Sequence, residues 1–129
     1  MENILLIDHS LATQKAITEI MSDSNCNVMC AVDATTAINL ASEITPDLII
    51  IELSLGGHSG MEFIYEFRTY SDWKNIPIII YSTIRLEPAI LKSRTWQNLN
   101  VGEYLYKPES TLARLKSSIE KLTNTLSNA

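Results

Sequence analysis

The sequence predicts an α/β fold, a parallel five-stranded sheet wound on both faces by helices. Three observations lead there. Short apolar runs of strand length alternate five times with longer segments of helical periodicity along the 129 residues. The joins between them are short, as consecutive βα units require. The most apolar run, Leu48-Ile49-Ile50-Ile51, lacks the polar alternation of a strand with one wet face, so it reads as a central strand covered on both sides. No internal repeat, low-complexity tract or linker interrupts the pattern. Residues 1–129 therefore read as one domain, long enough to enclose a hydrophobic core.

The first strand is Asn3–Asp8, and a helix over Ser10–Asp23 follows with Leu11, Ile17, Ile20 and Met21 at helical spacing. Asn27–Val32 is strand-like. Asp33 suits the N-cap of a helix over Ala34–Glu43, because its short carboxylate can accept from a first-turn N–H, and Pro46 marks the end of that helix. Asp47–Leu53 is the central strand and Ser54–Gly60 a polar loop. Ser59 and Glu62 have the spacing of a capping box for a helix reaching Tyr70. Ile76–Ser82 is the fourth strand. Pro88 fits the first turn of a helix running to Asn98, and Asn100 stands where a helix end calls for a left-handed residue. Val101–Tyr106 is the fifth strand. A last helix runs Ser110–Leu126 with Leu112, Leu115, Ile119 and Leu122 along one face, and the tail Ser127-Asn128-Ala129 is polar.

Composition excludes several classes of function. No apolar run approaches the roughly 20 residues of a membrane helix, and the N-terminus shows no secretion signal. A net charge of −5 argues against nucleic-acid binding by this domain. Cys26 and Cys30 share a strand face about 13 Å apart, too far for a disulfide. They read as buried free thiols, in keeping with a cytoplasmic protein.

In an open parallel sheet, functional groups gather at the carboxyl ends of strands near the reversal in strand order. Those ends are Asp8, Glu52, Ser82 and Lys107, so two carboxylates, a hydroxyl and an amine converge on one patch. Asp8 could also cap the first helix, and Ser82 could cap the helix after it. Asp8-His9-Ser10-Leu11-Ala12 contains no glycine, which argues against a nucleotide or flavin loop.

Four segments at suitable spacing resemble the response-regulator receiver domain family. They are Ile4-Leu5-Leu6-Ile7-Asp8-His9-Ser10; Pro46-Asp47-Leu48-Ile49-Ile50-Ile51-Glu52 with Gly60-Met61-Glu62; Ile76-Pro77-Ile78-Ile79-Ile80-Tyr81-Ser82-Thr83; and Tyr104-Leu105-Tyr106-Lys107-Pro108. The resemblance implies a flavodoxin-like, doubly wound sheet with strand order 2-1-3-4-5. It also implies the residue roles. Asp8 and His9 occupy the acidic pair that holds Mg²⁺, and Glu52 occupies the phosphoacceptor position. Ser82 and Thr83, with Tyr104 and Lys107, occupy the positions that sense a phosphoryl group, and Pro108 follows a peptide bond that is usually cis. The partner surface it implies is the face of the fourth helix, fifth strand and fifth helix, where Arg85, Arg94, Trp96, Tyr104 and Arg114 lie. Trp96 reads there as a core plug or an interface anchor.

Three departures cluster on the pocket. His9 replaces a carboxylate, and imidazole is a poor partner for Mg²⁺, which wants oxygen. Glu52 replaces the acceptor aspartate and carries its carboxylate roughly 1.5 Å further from the backbone, where a misplacement of about 1 Å can cost about 100-fold in rate. Gly56-Gly57 loosen the loop beside it, and His58 within that loop reads as solvated. The expectation is a non-enzymatic signalling module that binds a protein partner without phosphorylation, with no cofactor required and Asp8 and Glu52 only weak metal candidates. A histidine kinase, an output domain and a second copy of the chain are the partners the resemblance admits. A conventional receiver with Glu52 as a poor acceptor is one alternative. A small-molecule or transition-metal module using Asp8, His9 and Glu52 is another.

Overall fold

The computed structural model describes residues 1–123. In chain order the elements are β1 (Glu2–Ile7), α1 (Leu11–Ile20), β2 (Cys26–Ala31), α2 (Ala34–Glu43), β3 (Leu48–Ile51), β4 (Ser54–Leu55), β5 (His58–Ser59) and α3 (Gly60–Thr69). Then come β6 (Ile78–Ser82), α4 (Pro88–Leu91), α5 (Arg94–Asn98), β7 (Glu103–Tyr106), a 3₁₀ turn at Lys107–Glu109 and α6 (Leu112–Thr123). Five strands pair in parallel in the order β2-β1-β3-β6-β7. Counted among the sheet strands alone, that is the expected 2-1-3-4-5 winding. β4 and β5 form a separate antiparallel hairpin.

The central strand explains the layering. All four residues of β3 are fully buried, and alternate side chains enter opposite layers. Leu48 and Ile50 join Ile4, Leu6, Ile17, Met21, Leu115 and Ile119 beneath α1 and α6. Ile49 and Ile51 join Ala37, Ala41, Phe63, Ile64 and Phe67 beneath α2 and α3. Ser10 caps α1 through Thr13 N (3.2 Å), and Asp33 caps α2 through Thr36 N (2.8 Å). Asn100 takes the left-handed conformation expected of it, φ 53°.

Several local expectations are overturned. The loop after β3 is a tight hairpin rather than a loose polar segment: Gly56 and Gly57 turn it at φ 58° and 93°, and Leu55 is buried. Among the described residues Ser59 caps α3 through Met61 N (3.1 Å) rather than Glu62 N, so the capping box does not form. The helix expected from Pro88 to Asn98 is broken in two. Ser93 is extended, its Oγ donates to Ile90 O (2.7 Å) and accepts from Trp96 N (3.2 Å), and this local bonding competes with helix continuation. Trp96 is half-buried against the α3 side of the core. No cis peptide occurs among the described residues, so the Lys107–Pro108 bond is trans. Thr111 caps α6 through Arg114 N, and Leu112 is exposed rather than part of the buried stripe. Leu126 and the tail lie outside the described residues.

The cysteines are free but not buried. Cys26 is half-buried and Cys30 exposed, because β2 is an edge strand and α1 covers only part of that face. No helix among the described residues is long and apolar enough to cross a membrane.

Candidate functional site

The carboxyl ends of β1, β3, β6 and β7 bring Asp8, Glu52, Ser82, Thr83 and Lys107 into one cluster. Asp8 is not the cap of α1. Its Oδ1 accepts from Ser10 N (2.8 Å), and its Oδ2 accepts from Lys107 Nζ (3.0 Å). Glu52 is held on both oxygens. Oε1 accepts from Lys107 Nζ (3.1 Å), Thr83 N (3.0 Å) and Thr83 Oγ1 (3.2 Å). Oε2 accepts from Ser54 N (3.1 Å), Thr83 N (3.2 Å) and Ser82 Oγ. Glu52 is therefore far from a solvated strand-end carboxylate; its side chain is 3% exposed.

Ser82 is the pivot of the cluster. Its hydroxyl donates to Glu52 and accepts from Leu53 N (3.3 Å) and Ile84 N (3.0 Å). It caps no helix, since α4 starts at Pro88 with Glu87 as its cap residue. Gly60 brings the N-terminus of α3 against the end of β3. A Cβ there would lie 2.6 Å from Glu52 O and 2.9 Å from Leu53 Cα.

Burial is the largest influence on Glu52 and pushes its carboxyl up. The bonds from Ser82, from the Ser54 and Thr83 N–H groups and from Lys107 outweigh it, and the carboxyl titrates below its usual range. Lys107 mirrors this. Burial depresses its ammonium, but Asp8 and then Glu52 more than compensate, and it titrates above the usual lysine value. Glu52 and Lys107 are thus both ionised at neutral pH, and the one ammonium bonds to the side chains of Asp8 and Glu52.

Other sequence candidates fall outside the cluster. His9 is exposed, and no group of three His, Cys, Asp or Glu side chains among the described residues is placed to hold a metal ion. His58 lies exposed on the hairpin. Tyr104 stands one link away: its hydroxyl donates to Ile84 O (2.8 Å) and accepts from Leu86 N (2.9 Å). Pro108 opens the 3₁₀ turn. The chain reading missed Gln14, whose Nε2 donates to Asp8 O (2.7 Å), and Thr13, whose Oγ1 lies 3.5 Å from Lys107 Nζ. Both sit in the first turn after the Ser10 cap, which is the signal that could have found them.

The donor set does not fit the Mg²⁺ that the resemblance implies. The Lys107 ammonium already lies between the Asp8 and Glu52 oxygens, and Glu52 directs its remaining lone pairs to Ser82, Thr83 and Ser54. Too few free oxygens are left for the octahedral shell of Mg²⁺.

Comparison with known proteins identifies the family. Residues 4–120 match the response regulator receiver domain. The regulatory protein VirG of Agrobacterium tumefaciens (strain 15955) is 28% identical over 127 residues, covering 96% of this chain and 46% of VirG. The chain thus spans about half the length of such relatives. Chemotaxis response regulator CheY4 of Vibrio cholerae superposes with a TM-score of 0.79 at 23% identity, covering 95% of this chain and 98% of that one. The non-phosphorylated HemR receiver domain of Leptospira biflexa superposes at 0.82 and 19% identity, covering 95% and 94%. These structural likenesses speak to the fold, and the sequence match to the family. The chain belongs to the response regulator receiver domain family, signal-transduction domains that meet kinases and output domains in two-component systems.

Proposed function

We propose that this receiver works without phosphorylation, as a protein-binding module whose pocket is held permanently by Glu52. The observation that supports the reading is the saturation of the Glu52 carboxylate. Its oxygens accept from Ser82, Thr83, Ser54 and Lys107, the first, second and last of which occupy the family's phosphoryl-sensing positions. A carboxylate so engaged and so buried is a poor nucleophile. Attack on a phosphodonor needs a free lone pair, an approach path and a divalent cation to neutralise the donor. The longer side chain places negative charge against Ser82, Thr83 and Lys107, where an attached phosphoryl group would otherwise place it.

The partner surface in this reading is the α4, α5, β7 and α6 face. Tyr104, tied to the loop after β6, links it to the pocket. Arg85 and Arg114 present guanidinium groups there, engaged with Glu109 and Glu103 at 2.6 Å each, and Arg94 is exposed.

Incubation with a small phosphodonor and Mg²⁺, read by intact mass, tests the proposal. The chain should stay unmodified. An adduct of about +80 Da, one phosphoryl group, that vanishes in Glu52→Gln would instead establish a conventional receiver. Glu52→Gln should also alter the Tyr104 environment and partner binding; no change in either would remove the fixed-state reading.

A further inference from the structure

We propose that the free edge of β2 and the exposed face of α1 form a two-fold interface with a second copy of this chain, the two β2 strands pairing antiparallel about Cys30. The idea is independent of how the Glu52 pocket works.

Among the described residues β2 pairs only with β1, so its outer N–H and C=O groups form a row able to accept another strand. Natural edges are guarded by charge, proline or a bulge. Cys26-Asn27-Val28-Met29-Cys30-Ala31 carries neither charge nor proline, and it pairs with β1 in unbroken register. Beside it lies a groove of about 450 Å³, lined by Leu11, Lys15, Thr18, Glu19 and Cys30 among others. Leu11 is 75% exposed at one end, and Val32 is 48% exposed just past the strand.

The charges say what fills the groove. Lys15 and Glu19 stand one turn apart on the same exposed face, so a two-fold axis between them sets each lysine against the other copy's glutamate. That pattern is complementary to itself. Thr18 and Cys30 line the same groove, which places Cys30 level with the same part of α1. One axis therefore serves both layers. On the strands it sets Cys30 against Cys30, and Val28 against the exposed Val32 of the second copy. On the helices it pairs the charges. With paired strands about 4.8 Å apart, the two α1 helices, each seated over Ile4, Leu6, Cys26 and Val28 of its own sheet, reach the roughly 8–10 Å separation of packed helices.

Sedimentation velocity of the whole chain under reducing conditions, from micromolar to millimolar concentration, should show a reversible dimer. Lys15→Glu and Glu19→Lys should each weaken it about tenfold, and the double variant should regain wild-type affinity. Cys30→Lys, at an exposed position, should abolish the dimer while leaving the circular dichroism melt unchanged. A short bismaleimide should cross-link the dimer in the wild type and in Cys26→Ser but not in Cys30→Ser. A monomer throughout the range, a dimer indifferent to Cys30→Lys, or a double variant as weak as the singles would each overturn the proposal.

Discussion

Replacing Lys107 by methionine removes the single ammonium that serves two buried carboxylates. Its Nζ lies 3.0 Å from Asp8 and 3.1 Å from Glu52, whose side chains are 2% and 3% exposed. Removing one partner of a buried pair typically costs about 3–5 kcal/mol, because the other charge is left uncompensated. Protonation sets a ceiling here. A carboxyl with the ordinary value of 4.5 can be neutralised at pH 7 for about 3.4 kcal/mol, at 1.36 kcal/mol per pH unit. The variant should therefore lose about 3 kcal/mol at pH 7. The loss should shrink by about 1.4 kcal/mol per unit as pH falls, to under about 1 kcal/mol at pH 5. Urea denaturation of both proteins at pH 5, 6 and 7 measures the gap directly. A gap below about 0.5 kcal/mol at pH 7, or one of equal size at pH 5 and 7, would show that Lys107 does not compensate the buried charge of the pocket.

The wild type should have a flat stability plateau. Glu52 titrates below 4.5 when folded, so its contribution is complete above that value and lost as pH falls through the folded pKa. Lys107 titrates above 10.5 when folded, so its contribution is complete below that value and lost as pH rises through the folded pKa. Burial raises the Cys26 and Cys30 thiols above 9.0, so stability also falls as pH rises through that value, and urea midpoints should hold steady from about pH 5 to about pH 8 and fall on either side. Gly60→Ala drives a Cβ to 2.6 Å from one backbone atom and 2.9 Å from another, neither able to swing away; it should cost about 1–3 kcal/mol by the same assay and shift the amide resonance of Ser54. Arg68→Lys should destabilise nearly as much as Arg68→Met. The guanidinium donates to four carbonyls, Leu99, Trp73, Ile76 and Asn100, at 2.7–3.2 Å, a fan that an ammonium cannot span; thermal melts of the two variants would compare them.

Much of this pocket could be read from sequence because a parallel sheet turns position along the chain into position in space. Each strand ends where its apolar run ends, and the winding carries all those ends to one edge. Asp8, Glu52, Ser82 and Lys107 met for that reason alone. What escaped was decided by competition among local hydrogen bonds or by contacts distant in sequence. Ser93 falls inside the helix expected from Pro88 to Asn98, yet its hydroxyl bonds to Ile90 and Trp96 and ends the helix there. Nothing in the sequence singled out Arg68, which gathers carbonyls from segments up to 32 residues away. The strand period put Cys26 and Cys30 on one face correctly. It could not say that this face runs out of cover at the sheet edge, because depth depends on where α1 lies and not on parity.

The bonding around Glu52 bears on how a signal could leave the pocket at all. From its carboxylate a continuous chain runs through Thr83 N and the Ser82 hydroxyl to Ile84 N, and the Tyr104 hydroxyl then fastens Ile84 O to Leu86 N. Beyond it, the Arg85 guanidinium stacks 4.1 Å from the Tyr106 ring and pairs with Glu109. The loop between β6 and α4 is thus tied to the pocket at one side and to β7 and the 3₁₀ turn at the other. In a receiver whose acceptor gains and loses a phosphoryl group, such a loop has two arrangements because the group that anchors it comes and goes. Here the anchor is part of the chain. A two-state equilibrium moves only by the difference in affinity a ligand shows for its two states. In the function proposed above, where Glu52 is a fixed anchor, that difference comes from a partner on the α4, α5, β7 and α6 face, and control runs from the surface inward.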